Sequence, residues 1–419
     1  MDEACAIIRG RVLGQMDLSR DMSDEEIEAL IGETASSVLQ GSAFGIRERI
    51  RIERQVFNSL RKLDALQELI DDPEVSEVMV NGPQKIFYEK DGQVCAWNQG
   101  FASEEKMQDV IQQIVGRHNR VVNLSNPIVD TRLADGSRVN IVLSPIALDG
   151  SAITIRKFPK HPLDMEALIC RGAISREAAE LLALLVAARY SILVSGGTSS
   201  GKTTFLNALS QYIPEEERVI TIEDSAELQI FGVKNLVRLE TRNANMEGVM
   251  PVTIRDLIRT ALRMRPDRIL VGECRGAEAF DMLQALNTGH DGGLSTAHGN
   301  SATDILGRLE MMVLMGMELP LTAIRQQIAS GIDLIVHLGR LSDKSRRVVE
   351  ITEIDGMEGG EIRVHPLYRL AQTEDGWRLE AKDALLHTEK LAQAGLAEAY
   401  EEWRGRGEAH GLPQLSAHT

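Results

Sequence analysis

A short apolar segment, Ser191 to Ser195, runs directly into Gly196-Gly197-Thr198-Ser199-Ser200-Gly201-Lys202-Thr203. This is the G-x-x-x-x-G-K-[ST] pattern in full, and it constrains the chain more than any other feature. The context fits as well. The apolar segment reads as a buried strand, and Thr204, Phe205, Leu206, Ala208 and Leu209 continue as a helix. Glycines let the backbone turn its N–H groups inward and form an anion nest at a helix N-terminus. The stretch Gly196, Gly197, Thr198, Ser199, Ser200, Gly201, Lys202, Thr203 and Thr204 is therefore a candidate phosphate-binding loop. Lys202 is expected to reach β- and γ-phosphates, and the Thr203 hydroxyl to ligate Mg²⁺. The loop implies nucleotide binding and says nothing yet about a reaction.

Two acidic strand ends follow in order. Val219-Ile220-Thr221-Ile222 leads into Glu223-Asp224-Ser225-Ala226-Glu227, and Arg268-Ile269-Leu270-Val271-Gly272 leads into Glu273. Ligands of open α/β sheets collect at the carboxyl ends of strands. Mg²⁺ takes oxygen ligands and keeps several waters, and hydrolysis needs a group that orients the attacking water. Carboxylates from these two clusters, Glu223 and Glu273 among them, are candidates to join Thr203 around the metal. His290 and His298 flank Asp291-Gly292-Gly293-Leu294-Ser295-Thr296. An imidazole there could read a γ-phosphate, or both could be structural. With no Cys pair nearby they do not resemble a zinc site.

Charge narrows the partners. The 419-residue chain carries 46 Lys+Arg against 62 Asp+Glu, a formal charge of −16. Binding to nucleic acid is driven by phosphate neutralisation, so no direct nucleic-acid partner is expected. There is no long apolar run for a membrane span and no basic, then apolar, leader at Met1-Asp2-Glu3-Ala4-Cys5. Cys5, Cys95, Cys170 and Cys274 are scattered and read as reduced thiols with packing roles. A cytoplasmic protein is the expectation.

At ~150 residues per domain the length suggests two or three domains. Residues 1–62 read as helical, broken near 41–45, with Ile46, Ile50, Phe57 and Leu60 on one face of the last helix. That face suggests a solvated amphipathic helix or, alternatively, a docking helix. Residues 63–157 alternate short strands with one helix over Ser103–His118, which suggests a small α+β domain. Lys157 to Pro162, with two prolines, reads as a linker. Residues 158–404 alternate strands and helices, starting with an N-cap at Ser175, and argue for a parallel sheet. A hairpin over Val348–Ile354 and Glu361–His365 closes that region, and 405–419 reads as a polar tail. Met311, Met312, Met315 and Met317 fall at helical spacing and read as core, with a flexible partner surface as the alternative.

The motifs Gly196–Thr203, Thr221–Leu228, Arg268–Gly276 and Gly289–Asn300 resemble the Walker A, Asp, Walker B and His boxes of the secretion ATPase superfamily, in that order. The strings 193–204 and 283–292 are similar to the CpaF branch, which powers Tad-type pili. The resemblance implies an α/β fold: a RecA-like P-loop domain at 158–404, preceded by a PAS-like α+β domain at 63–157 and the N-terminal helical segment.

It also implies roles. Glu227 matches the Asp-box glutamate that polarises water, and Glu273 the Walker B glutamate that helps hold the Mg²⁺ shell. His298 matches the His-box residue near the γ-phosphate, although Gly299 stands where Ala is common. Arg138 and Arg156 match the arginines by which the N-terminal domain neutralises phosphate charge, and Arg259 and Arg263 match a further arginine stretch. ATP and Mg²⁺ are the implied ligands. The implied setting is a homo-hexameric ring at the inner face of the cytoplasmic membrane. Its partners would be a polytopic inner-membrane platform protein and pilins or secretion machinery. A type IV secretion ATPase moving DNA or protein, and a nucleotide-gated ring with little turnover, are the alternatives.

Overall fold

The computed structural model describes residues 1–17, 19–20, 22–90, 92–116, 121–158, 162–242, 250–374 and 376–408. The chain divides into two compact units, Met1–Lys160 and His161–Thr419. Residues 159–161 of the expected linker and 409–419 of the expected tail lie outside the described residues.

The first unit opens with three helices, α1 (Asp2–Gln15), α2 (Asp24–Val38) and α3 (Ile46–Arg61). Ser23 and Glu26 form a capping box at the start of α2, which fixes where that helix begins. Ile8, Val12, Ile27, Ile31, Ile52, Val56 and Phe57 make a small core of their own. The buried stripe of α3 is rotated from the expected one. Ile52 and Val56 are buried, whereas Ile46 and Ile50 are 80% and 58% exposed. Ile46 and Ile50, in the first turns of α3, therefore face solvent.

After α4 (Gln67–Asp71) come β1 (Val75–Asn81), β2 (Ile86–Lys90), β3 (Gln93–Trp97), α5 (Glu104–Gly116), β4 (Ile128–Arg132), β5 (Arg138–Val142) and β6 (Ala152–Arg156). The strands form one antiparallel sheet in the order β3-β2-β1-β6-β5-β4. Met107, Val110, Ile111, Ile114 and Val115 of α5 are buried in its core, as the helical spacing predicts. The edge strand β3 was not anticipated, because Gln93-Val94-Cys95-Ala96-Trp97 is largely solvent-facing and carries little alternation.

The second unit is a layered α/β structure. Its elements are α6 (Met165–Cys170), α7 (Arg176–Ala187), β7 (Ile192–Gly196), α8 (Lys202–Ser210), β8 (Arg218–Glu223), β9 (Asn235–Glu240), α9 (Ile254–Ala261), β10 (Arg268–Cys274), α10 (Glu278–Leu286), β11 (Leu294–His298), α11 (Ala302–Gly316), α12 (Leu321–Gly331) and β12 (Leu334–Arg340). Beyond them lie β13 (Arg346–Glu358), β14 (Glu361–Thr373), β15 (Gly376–Ala381), α13 (Glu389–Gln393) and α14 (Ala397–Glu408). The sheet order is β15-β14-β13-β12-β7-β11-β10-β8-β9. The strands from β12 to β9 are parallel, and β13 to β15 are added antiparallel at one side. The hairpin is longer than its apolar residues suggested and gains a third strand. The helix α14 continues four residues past the expected start of the polar tail, with Trp403 buried.

Apolar side chains cover both faces of this sheet, in two clusters. That explains why β7 reads as an unbroken apolar run. Ser175 caps α7 through the Ala178 amide, as expected. Of the four methionines only Met312 is in the core, while Met311 and Met315 are 59% and 68% exposed on another face of α11. Of the cysteines only Cys274 is buried, and Cys170 is exposed. Among the described residues no helix is long and apolar enough to cross a membrane.

The parallel sheet is pinned by a buried cation. Arg268, at the start of β10, is fully buried. Its guanidinium pairs with Glu217 through two nitrogens and donates to the carbonyls of Val186 at 2.7 Å and Gly292 at 3.3 Å. Gly292 is required there: a Cβ would come within 2.7 Å of the guanidinium. Truncating a buried, fully paired charge costs ~3–5 kcal/mol. Arg268→Ala is expected to lose that much stability, read as a lower urea midpoint with unchanged slope.

Candidate functional site

The phosphate loop joins β7 to α8 at the carboxyl edge of the parallel sheet. Its backbone explains its glycines. Gly196 has φ +154°, and a Cβ there would lie 2.5 Å from the Leu338 carbonyl. Gly201 has φ +97° and turns the chain into the first residue of α8. Ser199 takes φ +58°, and the Ser200 hydroxyl donates to the Gly197 carbonyl at 2.9 Å. Around Gly197 a Cβ would meet nothing within 4 Å, so the loop is open on that side. Thr198 completes the turn, and Thr203 and Thr204 occupy the first turn of α8.

Lys202 folds back into the loop. Its Nζ donates to the carbonyls of Gly196 at 3.2 Å and Gly197 at 3.0 Å, and lies 3.3 Å from His298 Nδ1. His298 Nε2 lies 3.0 Å from Glu273 Oε1. The two partners define the tautomer: a neutral imidazole donates from Nε2 to the carboxylate and accepts at Nδ1 from the ammonium. Burial and, after it, the Lys202 charge push the His298 pKa below its ordinary value, which keeps the ring neutral. Lys202, His298 and Glu273 thus form one connected line drawn from α8, β11 and β10.

The first acidic box contributes from the other side. Thr203 Oγ1 donates to Glu227 Oε2 at 3.5 Å, a long contact that places the carboxylate beside the hydroxyl. A hydroxyl and adjacent carboxylate oxygens are the donor chemistry of a hard divalent cation. An ammonium and amides gathered inside a loop at a helix N-terminus suit a polyphosphate. The residues present therefore fit a nucleotide and Mg²⁺.

Glu223 does not fit the cation position expected of it. It is 3% exposed, and its Oε1 accepts the amides of Glu227 and Leu228, each at 2.8 Å. Its Oε2 is buried without a hydrogen-bond partner. The carboxylate is turned into the protein because the chain after β8 folds back over it. Burial raises its pKa to about 7, against the pull of the two amides. A carboxyl raised from about 4.5 to about 7 on folding destabilises the folded state as pH rises between those values. Glu223→Gln is therefore expected to match the parent near pH 4.5 and to exceed it by ~3 kcal/mol at pH 8. Chemical denaturation at the two pH values checks this.

Other expected residues lie elsewhere. His290 precedes β11 at its amino end, so the strand separates it from His298 at the carboxyl end. Arg259 pairs with Asp281 at 3.0 Å, as does Arg255 at 2.6 Å, and Arg263 is exposed just beyond α9. Arg138 and Arg156 are in the first unit. They lie directly opposite each other on β5 and β6, and Arg132 of β4 is opposite Arg138. Glu77 of β1 stands opposite Arg156 on its other side, so a carboxylate borders this row of arginines. Arg132 was not singled out from the sequence, where only strand register could have revealed it. Arg275 was also missed; it pairs with Asp224 and ties the second acidic box to the first.

A loop of this form at the carboxyl edge of a parallel sheet, with acidic groups from two further strands, defines a P-loop nucleotide-binding protein. The chain belongs to the type II/IV secretion system protein family, whose model matches residues 59–398. A Mycobacterium tuberculosis protein named for conjugal transfer is 36% identical over 300 residues, covering 70% of this chain and 85% of that protein. A type IV secretion system protein PtlH homolog of Bordetella bronchiseptica is 35% identical over 324 residues, covering 70% of this chain and 95% of its own. The ATPase DotB of Legionella pneumophila shares the fold, with a TM-score of 0.51 at 23% identity over 70% of this chain and 80% of DotB. The mixed α/β fold is that of the secretion ATPases.

Proposed function

We propose that the chain is an ATP-hydrolysing motor that powers Tad-type pilus assembly or type II/IV secretion, coupling turnover to domain motion in a ring. The observation that supports it most is the convergence on one loop of Thr203 with Glu227, and of Lys202 with His298 and Glu273. In this reading the loop 196–204 binds the phosphates, and Lys202 withdraws charge from the β and γ groups. Glu227 orients and polarises the attacking water. His298 reports on the γ-phosphate, its Nδ1 being released when Lys202 turns to the phosphates. Thr203 would hold Mg²⁺, with Glu273 contributing to its shell, and the cation would neutralise phosphate charge. Arg138 and Arg156 supply further positive charge to the transition state from the PAS-like domain at 63–157. The RecA-like domain at 158–404 carries the other groups.

The setting we propose is a homo-hexamer at the inner face of the cytoplasmic membrane. There it would act on a polytopic platform protein and on pilins or secretion machinery. The likeness of strings 193–204 and 283–292 to the CpaF branch supports the pilus reading. The names of the relatives, type IV secretion and conjugal transfer, favour type IV secretion as the second reading. The net charge of −16 speaks against DNA as direct cargo in either case.

The test is Mg-ATP hydrolysis per subunit across a wide protein concentration range, with Arg138→Ala alongside. A specific rate that climbs with concentration and falls ~100-fold or more in the variant is expected if neighbouring subunits complete each site. A flat rate with an indifferent variant means each subunit works alone, and the ring mechanism is then wrong.

A further inference from the structure

The carboxylate that the sequence offers as a cation ligand is spent on the backbone of the turn that carries Glu227. Glu223 ends β8, and its Oε1 accepts two consecutive amides, those of Glu227 and Leu228, four and five residues ahead. The turn is held at other points too. Arg238 donates to the Leu228 carbonyl at 3.1 Å, and the Gln229 amide to Asn207 Oδ1 at 3.0 Å. Thr241 donates to the Asp224 carbonyl at 3.1 Å. The amide of Glu227 itself is accepted by Glu223. Room for this side chain comes from the neighbouring strand. A Cβ on Gly272 would stand 2.8 Å from Glu223 Cγ and 3.1 Å from its Oε1. Gly272 lies immediately before Glu273, so the glycine that makes room for the brace sits inside the second acidic box.

We propose that Glu223 is a positioning residue that acts through Glu227, with Gly272 providing the space it occupies. The inference rests on the reading of Glu227 as the group that orients water. The brace needs an acceptor oxygen at one length, and it does not need a charge. Gln at 223 keeps that oxygen at that reach. Asp keeps the charge and falls one methylene short. Misplacing a reacting group by ~1 Å costs on the order of 100-fold.

The experiment compares steady-state ATP hydrolysis and ATP affinity of the full chain for Glu223→Asp, Glu223→Gln, Gly272→Ala, Glu227→Gln, and Glu223→Ala with and without Gly272→Ala. The Asp variant is expected to lower kcat ~30–100-fold with KM for ATP within ~3-fold, and Gln to restore kcat to within ~3-fold of the parent. Gly272→Ala is expected to lower kcat ~10-fold by pushing on the brace, and to add less than ~2-fold when combined with Glu223→Ala, because its methyl then fills the vacated space. Because Gly272→Ala leaves the carboxylate in place, it tests the same idea should the Asp variant fail to fold.

If Gln is as defective as Asp and needs several-fold more Mg²⁺ for half-maximal rate, Glu223 is a cation ligand and the proposal is overturned. It is equally overturned if Asp and Gly272→Ala turn over like the parent while Glu227→Gln is inactive, a result that leaves the reading of Glu227 standing. Normal turnover by Glu227→Gln sinks that reading, and the brace with it.

Discussion

Glu227→Gln is expected to bind ATP as tightly as the parent and to turn it over ~100- to 10,000-fold more slowly. The amide keeps the size of the side chain and can still accept from the Thr203 hydroxyl, now 3.5 Å from Oε2. What it loses is the negative charge and the basicity that draw a proton from water. A positioned general base contributes that much to a rate. Among the described carboxylates of the two acidic boxes, Glu223 accepts backbone amides and Glu273 pairs with His298 through Oε1. Among these described carboxylates, it is Glu227 that lies beside the Thr203 hydroxyl. Equilibrium binding of a fluorescent ATP analogue and single-turnover phosphate release separate binding from chemistry. Loss of both together would mean that Glu227 holds the nucleotide and that the water is oriented by another group.

Lys202→Ala should show the opposite split, with nucleotide affinity lost first. Its ammonium now satisfies two loop carbonyls and touches His298, so it is already in place inside the loop. Charged hydrogen bonds contribute ~1.5–3 kcal/mol each, which puts the loss at roughly 100-fold in Kd. The variant has a second signature. The Lys202 charge is one of the causes that depress the His298 pKa, after burial. Removing it leaves the imidazole beside Glu273 with one opposing cation fewer, so His298 is expected to titrate at higher pH. An NMR titration of the histidine ring protons reads this directly. An unchanged His298 titration in the variant would mean that the two side chains are not coupled.

The phosphate loop was legible because its function is local. Eight consecutive residues supply the glycines, the lysine and the threonine, and the flanking strand and helix are each continuous in sequence. The α5 stripe and the Ser175 cap were legible for the same reason: periodicity and capping are short-range properties. Errors came where the outcome depended on what packs alongside. The spacing of Ile46 and Ile50 is right for a buried face, yet the bundle core takes a different stripe of α3. The methionines of α11 divide between core and surface for the same reason. The strand β3, the far end of β14 and the added strand β15 are weakly patterned, and they form because a neighbouring strand offers hydrogen bonds.

Glu223 and Glu273 make the division plain. In sequence they are equivalent: each is an acid at the end of an apolar run in a parallel strand. The chain alone determined that carboxylates would gather at this edge of the sheet, since a strand's carboxyl end is fixed by its direction and its apolar run by its burial. Which carboxylate would do what was decided by tertiary structure. The turn after β8 closes over Glu223 and gives it two amides, and the absent side chain of Gly272 makes the room. The ends of β10 and β11 lie side by side and give Glu273 an imidazole. A side chain's role follows from the atoms within about 3 Å of it, and those atoms come from residues far away in the chain.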